Sequence, residues 1–164
     1  MINFNQNHNL KIGNAPCSWG VFYSENNSLK YDKYLTKISE IGYQYSELGP
    51  LGYFNDETSI IKDFLIKLNI QISGAAHVHN FADLSMFDKL RLDVKKISNI
   101  LLDLNSTHLI LMDESEFYPK DYKGKIHSDD WRKIMKNIIK IQTLVENEYG
   151  LKVHFHPHVG TFIE

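Results

Sequence analysis

"HLILM", residues 108–112, is a histidine followed by four apolar residues with no alternation. A strand with one face in water alternates apolar and polar side chains. An unbroken run is expected where both faces are covered, as in a parallel sheet flanked by helices. The segments on either side of this run decide whether that expectation is met.

Upstream, Leu90, Val94, Ile97, Leu101 and Leu104 recur at intervals of 4, 3, 4 and 3, the spacing of one helical face. Before them, "IQISGAAHV" (70–78) reads as a strand. A helical stripe follows in Ile60, Ile61, Phe64, Leu65 and Leu68, with Asn69 placed for a left-handed cap. "YQYSEL" (43–48) is a short strand ended by the "GPLG" turn at 49–52. Tyr31, Tyr34, Leu35, Ile38 and Ile41 share a helical face, closed by Gly42, and "KIGNAPCS" (11–18) is the first strand. Downstream comes a polar loop with Pro119 and Gly124. Ser128 or Asp129 then caps a long helix through Trp131, Ile134, Met135, Ile138, Gln142 and Val145, ended by Gly150. Lys152–His156 is the fifth strand. The order is βα four times, then β, in a single α/β domain over 1–164 with no linker or clear repeat. Two architectures fit: an open, doubly wound five-stranded sheet, or the first part of a (β/α)8 barrel, which typically needs about 250 residues.

Composition narrows the functional classes. The chain has 164 residues with Lys+Arg 18 against Asp+Glu 20, a formal net charge of -2. No basic footprint for nucleic acid is visible. The polar N-terminus "MINFNQNHNLKIG" lacks the apolar stretch of a signal peptide, and no window approaches the roughly twenty apolar residues of a membrane span. Cys17 is the single cysteine, which excludes an intrachain disulfide framework and a cysteine zinc site. The expectation is a cytoplasmic protein without membrane or nucleic-acid partners.

Polar and ionisable residues gather at the C-terminal ends of the expected strands, where barrels and open α/β sheets build their sites. Ser18 and Trp19 follow strand one, with Trp19 read either as a plug or as an apolar wall for a ligand. Glu47 lies among apolar residues in strand two, where a carboxylate needs a partner or a raised pKa. His77 and His79 end strand three, two residues apart and so on one face. Asp113 and Glu114 end strand four and read as solvated or capping groups. Strand five ends in "VHFHPHVGTFIE" (153–164), with His154, His156 and His158 on one face. A step of two residues covers about 6.6 Å, so all three do not readily bind one metal. The outer pair suits metal or substrate, with His154 supporting it and Glu164 reaching back across the mouth. Imidazole with carboxylate suits Mn²⁺, Fe²⁺, Co²⁺ or Zn²⁺ better than Ca²⁺.

"NAPCSWG", "YSELGPLGY" and "HFHPHVGTFIE" together resemble the inosose dehydratase-like branch of the sugar phosphate isomerase/epimerase superfamily, whose members are xylose isomerase-like TIM barrels. The resemblance runs essentially end to end and covers the N-terminal part of such a barrel. It implies a partial (β/α)8 barrel of about four βα units plus a fifth strand. It also implies a divalent metal, Mn²⁺ or Co²⁺ with Zn²⁺ as an alternative, of which Glu164 would be the first ligand. The substrate it implies is a polyol or keto-sugar, met by Trp19, Glu47, His77 and His79, with His156 or His158 as the acid. The implied reaction is dehydration of 2-keto-myo-inositol through a metal-stabilised enediolate. A sugar isomerase or epimerase would share that intermediate. An H-x-H metal-dependent hydrolase and a non-catalytic polyol-binding module are the rivals. The site would be completed by a homodimer or a separate C-terminal half, without which the chain is expected to be inactive.

Overall fold

The computed structural model describes residues 11–81, 83–113 and 128–158. Five strands alternate with four helices: β1 (Gly13–Asn14), α1 (Tyr31–Ile41), β2 (Tyr45–Glu47), α2 (Thr58–Leu68), β3 (Gln71–His79), α3 (Phe87–Asp103), β4 (His108–Asp113), α4 (Ser128–Tyr149) and β5 (Lys152–His156). Short 3-10 turns cover Pro16–Trp19 and Leu84–Met86. The first strand is shorter than the sequence suggests. Pro16 has no N–H for a sheet ladder and instead opens the 3-10 turn that Gly20 closes at φ 79. Among the described residues no helix is long and apolar enough to cross a membrane.

The strands lie in the order β1-β2-β3-β4-β5, every neighbouring pair parallel. A doubly wound sheet reverses its order at a switch point and puts helices on both faces. Here each right-handed crossover steps to the next strand in the same direction, so the helices gather on one face. That rules out the open, doubly wound alternative and gives an arc of a (β/α)8 barrel.

The core lies between the sheet and its helices. Tyr34, Leu35 and Ile38 of α1, Ile61 and Leu65 of α2, Leu90, Val94, Ile97 and Leu101 of α3, and Ile134, Ile141 and Val145 of α4 are buried against it. These are the stripes expected from periodicity, and each full burial removes about 1.5–3 kcal/mol worth of apolar surface from water. The run at 108–112 is covered on one side only. Leu109 and Leu111 are buried beneath the helices, whereas Ile110 and Met112 are half-buried on the other, concave face.

A bulge in β3 sets which side chains reach that concave face. Ser46 pairs with Ile72 but Glu47 with Gly74, so Ser73 is an extra residue. One inserted residue reverses the facing of everything after it. Gly74, Ala76 and Val78 therefore share the concave face with Glu47. Ala75, His77 and His79 pair with Leu109, Leu111 and Asp113 and face the helices. Gly74 is held to glycine by crowding: a Cβ there would stand 2.8 Å from the His108 carbonyl oxygen.

Candidate functional site on the concave face

Glu47 ends β2, half-buried, and its side chain projects from the concave face. Burial raises its carboxyl pKa, and the imidazole of His156 acts in the opposite direction. His156 ends β5, in register with Met112 and on the same face. Val153 and Phe155, between the histidines, pack behind the sheet on the core, so the alternation inferred for this strand holds. The His158 ring follows, its centroid 5.9 Å from that of His156. A carboxyl that keeps its proton more readily than usual and an imidazole on the same face are two groups here with acid–base chemistry.

One pair on this face escaped sequence reasoning. His108 Nδ1 lies 2.8 Å from His154 Nε2, with ring centroids 5.0 Å apart. His108 opens the apolar run of β4 and reads there as a strand boundary. The available signal was the strand pairing itself, which sets Ile110 beside His154 and His108 one step away on the same face.

His77 and His79 do share a face, with rings stacked at 6.1 Å. That face, however, is the one under the helices, where Asp93 and Lys89 of α3 act on both of them. The structure thus does not bring them together with Glu47 and His156, and the H-x-H hydrolase reading loses its geometric basis. Trp19 also stands on the helix side. Its Nε1 donates to Asn14 Oδ1 at 2.9 Å, and its ring meets Tyr34 of α1 edge-on at 6.3 Å.

Asp113, expected to be solvated or capping, is instead fully buried. It shares the helix-facing side of its strand with the core leucines, and its Oδ1 accepts from the Phe81 N–H at 3.3 Å. Asn137 of α4 donates to the Phe81 carbonyl at 2.7 Å, so the carboxylate and the amide together fix the turn after β3. Glu114 and Glu164 lie outside the described residues. A separate cleft of about 600 Å³ opens between the loops after β1 and β2, and none of the concave-face histidines lines it.

Among the described residues no three His, Cys, Asp or Glu side chains are grouped to hold a metal ion. Glu47 and His156 offer the right donor chemistry but do not by themselves make a metal site.

No protein-family model matches the sequence, and no curated protein does. Solved structures do match. The "probable 3-DHS dehydratase AsbF" of Bacillus anthracis superposes with a TM-score of 0.67 at 12% identity, over 91% of this chain and 53% of that one. A xylose isomerase-like TIM barrel protein from Mycobacterium smegmatis, in complex with magnesium, gives 0.64 at 12% identity, over 95% and 57%. D-psicose 3-epimerase from Clostridium cellulolyticum H10, with D-tagatose, gives 0.64 at 17% identity, over 88% and 51%. The fold is therefore that of a xylose isomerase-like TIM barrel. Of such a barrel this chain carries a five-strand arc, spanning between 51% and 57% of the length of these structures.

Proposed function

We propose that the chain forms the substrate-facing wall of an enzyme that isomerises, epimerises or dehydrates a polyol or keto-sugar, and specifically of a 2-keto-myo-inositol (inosose) dehydratase. The observation that supports this most is that Glu47 and His156 share the concave face, at the strand ends where barrel enzymes bind substrate. In this reading Glu47 takes the proton α to the ketone, leaving an enediolate. His156, or His158 beside it, gives a proton to the β-hydroxyl, which departs as water. Without the second step, returning the proton to the neighbouring carbon isomerises the sugar, and returning it to the opposite face of the same carbon epimerises it.

The cofactor proposed with this reading is a divalent cation, Mn²⁺ or Co²⁺ ahead of Zn²⁺, with Glu164 among its ligands. Because the chain spans about half the length of the structures it matches, turnover is proposed for an assembled barrel, completed by a second copy or a separate C-terminal half. The test is calorimetry on the purified chain. Mn²⁺ and Co²⁺ are expected to bind weakly to the chain alone and to lose that binding in Glu164→Gln. Binding of 2-keto-myo-inositol is expected to weaken at least tenfold in Glu47→Gln. A chain that binds no polyol at millimolar concentration, or binds it equally well in Glu47→Gln, would overturn the reading. In an active assembly, loss of one water by mass spectrometry separates dehydratase from isomerase.

A further inference from the structure

His108 and His154 stand on neighbouring parallel strands and turn one ring nitrogen each toward the other. The contact is Nδ1 to Nε2 at 2.8 Å, with the ring planes 29° apart. Neither ring is held by another hydrogen bond among those described, and both reach solvent. Gly74 adds no side chain on the neighbouring strand, where a Cβ would stand 3.2 Å from that of His108. Lys152, which pairs with His108 in the ladder, is the lysine whose charge acts on it. The concave face thus presents two imidazole nitrogens in direct contact, on rings that both reach solvent.

We propose that His108 and His154 form a two-imidazole binding site for a borderline divalent cation, Cu²⁺ or Zn²⁺, separate from the Glu47–His156 pair. For Zn²⁺, metal–imidazole bonds of 2.0–2.1 Å at a tetrahedral angle put the two nitrogens about 3.3 Å apart. The rings need to separate by only about half an ångström from their present contact. In the metal-free pair one nitrogen donates its hydrogen to the other. On binding, that hydrogen moves through solvent to the far nitrogen of the same ring, so both facing nitrogens offer lone pairs and the neutral pair loses no net proton. With no carboxylate in the pair, it binds Mg²⁺ and Ca²⁺ poorly, and it binds Cu²⁺ more tightly than Zn²⁺. Two protein ligands leave the remaining positions to water or an incoming small molecule. The cation also bridges β4 and β5 and so holds the outer strand to the sheet.

The test titrates Cu²⁺ and then Zn²⁺, as simple salts, into the full chain and into His108→Ala, His154→Ala and Glu164→Gln, with circular dichroism confirming the fold of each. One equivalent is expected to bind at this pair in the parent chain, beyond any cation held with Glu164. Affinity should fall at least tenfold in each histidine variant and stay unchanged in Glu164→Gln. The Cu²⁺ paramagnetic resonance spectrum should show coupling to two nitrogens. Thermal midpoints should rise with Zn²⁺ in the parent chain but not in His108→Ala. Unchanged affinity in either histidine variant would overturn the proposal. So would binding that disappears in Glu164→Gln, and that result would instead support the metal site of the proposed enzyme.

Discussion

His77 faces the helix layer from β3 with its Nε2 buried and unpartnered among the described residues. Burial is the main cause that lowers its pKa to about 4, assisted by the neighbouring His79 and by Lys89 and opposed by Asp93. The folded state therefore resists a proton that the unfolded chain accepts near 6.5. Stability is complete above that value, declines as pH falls through the window down to about 4, and has no further loss from this group below it. The loss across that window is on the order of 3 kcal/mol. Urea midpoints at pH 7.5 and pH 4.5 measure it. The gap between them should narrow in His77→Phe, which keeps the ring volume and removes the titration. An equal gap in the variant would mean that other groups carry the acid sensitivity. The same buried ring shows why reading a residue type alone misplaces function: an H-x-H pair looks alike on either face of a sheet. Asp113 makes the same point. Its position at a strand end suggested solvent, and only the turn that it bonds explains its burial.

At the scale of the elements, most of the fold was legible because its signals are local. Helical stripes, and left-handed caps at Gly42 (φ 101), Asn69 (φ 53) and Gly150 (φ 66), follow from periodicity and backbone sterics. The fifth strand was read with the boundaries the structure gives, and with it the concave placement of His154 and His156. What a single sequence hides is register. Ser73 bears no bulge signature, yet its insertion decides that Glu47 and Gly74 share a face while His77 leaves it. Pairing of β4 with β5 likewise brings His108 to His154, two residues 46 apart in sequence. Gly74 offers a direct check on this geometry. A methyl group there meets backbone, not a movable side-chain tip, because the His108 carbonyl oxygen lies 2.8 Å away. Gly74→Ala should cost about 1–3 kcal/mol by chemical denaturation, as overpacking does. Ala76→Gly, two residues along on the same face, should cost less. Equal or greater stability in Gly74→Ala would contradict the close approach of β3 and β4.

The consecutive strand order puts every helix on one side of the sheet, which leaves the molecule with two kinds of uncovered surface. One is the concave face, where Val78 is 40% exposed among the histidines. The other is the outer flank of α4. Ile134, Ile138, Ile141 and Val145 of that helix are buried, but Trp131, Met135 and Ile139, each four residues from the next, are 43%, 37% and 53% exposed. Four-residue spacing makes them one stripe, and the stripe runs beside β5, whose outer edge has no strand paired to it among the described residues. An apolar stripe next to an open strand edge favours association, because a second surface can bury the side chains while satisfying the edge's backbone groups. In a closed barrel a neighbouring strand and helix cover both at once. The expected behaviour of the purified chain is a mass above that of the monomer, rising with concentration, in size-exclusion chromatography with light scattering. Ile139→Lys puts a charge in the middle of the stripe and leaves the buried face of α4 untouched, so it should shift the chain toward monomer without changing its circular dichroism. If the parent chain stays monomeric across a hundredfold range of concentration, the stripe is an ordinary solvated flank, and the requirement for a second copy in the proposed enzyme loses its physical support. If Ile139→Lys abolishes association and also weakens polyol binding, the surface that joins two copies and the face that binds substrate depend on one another. That is the behaviour of a site completed only in the assembly.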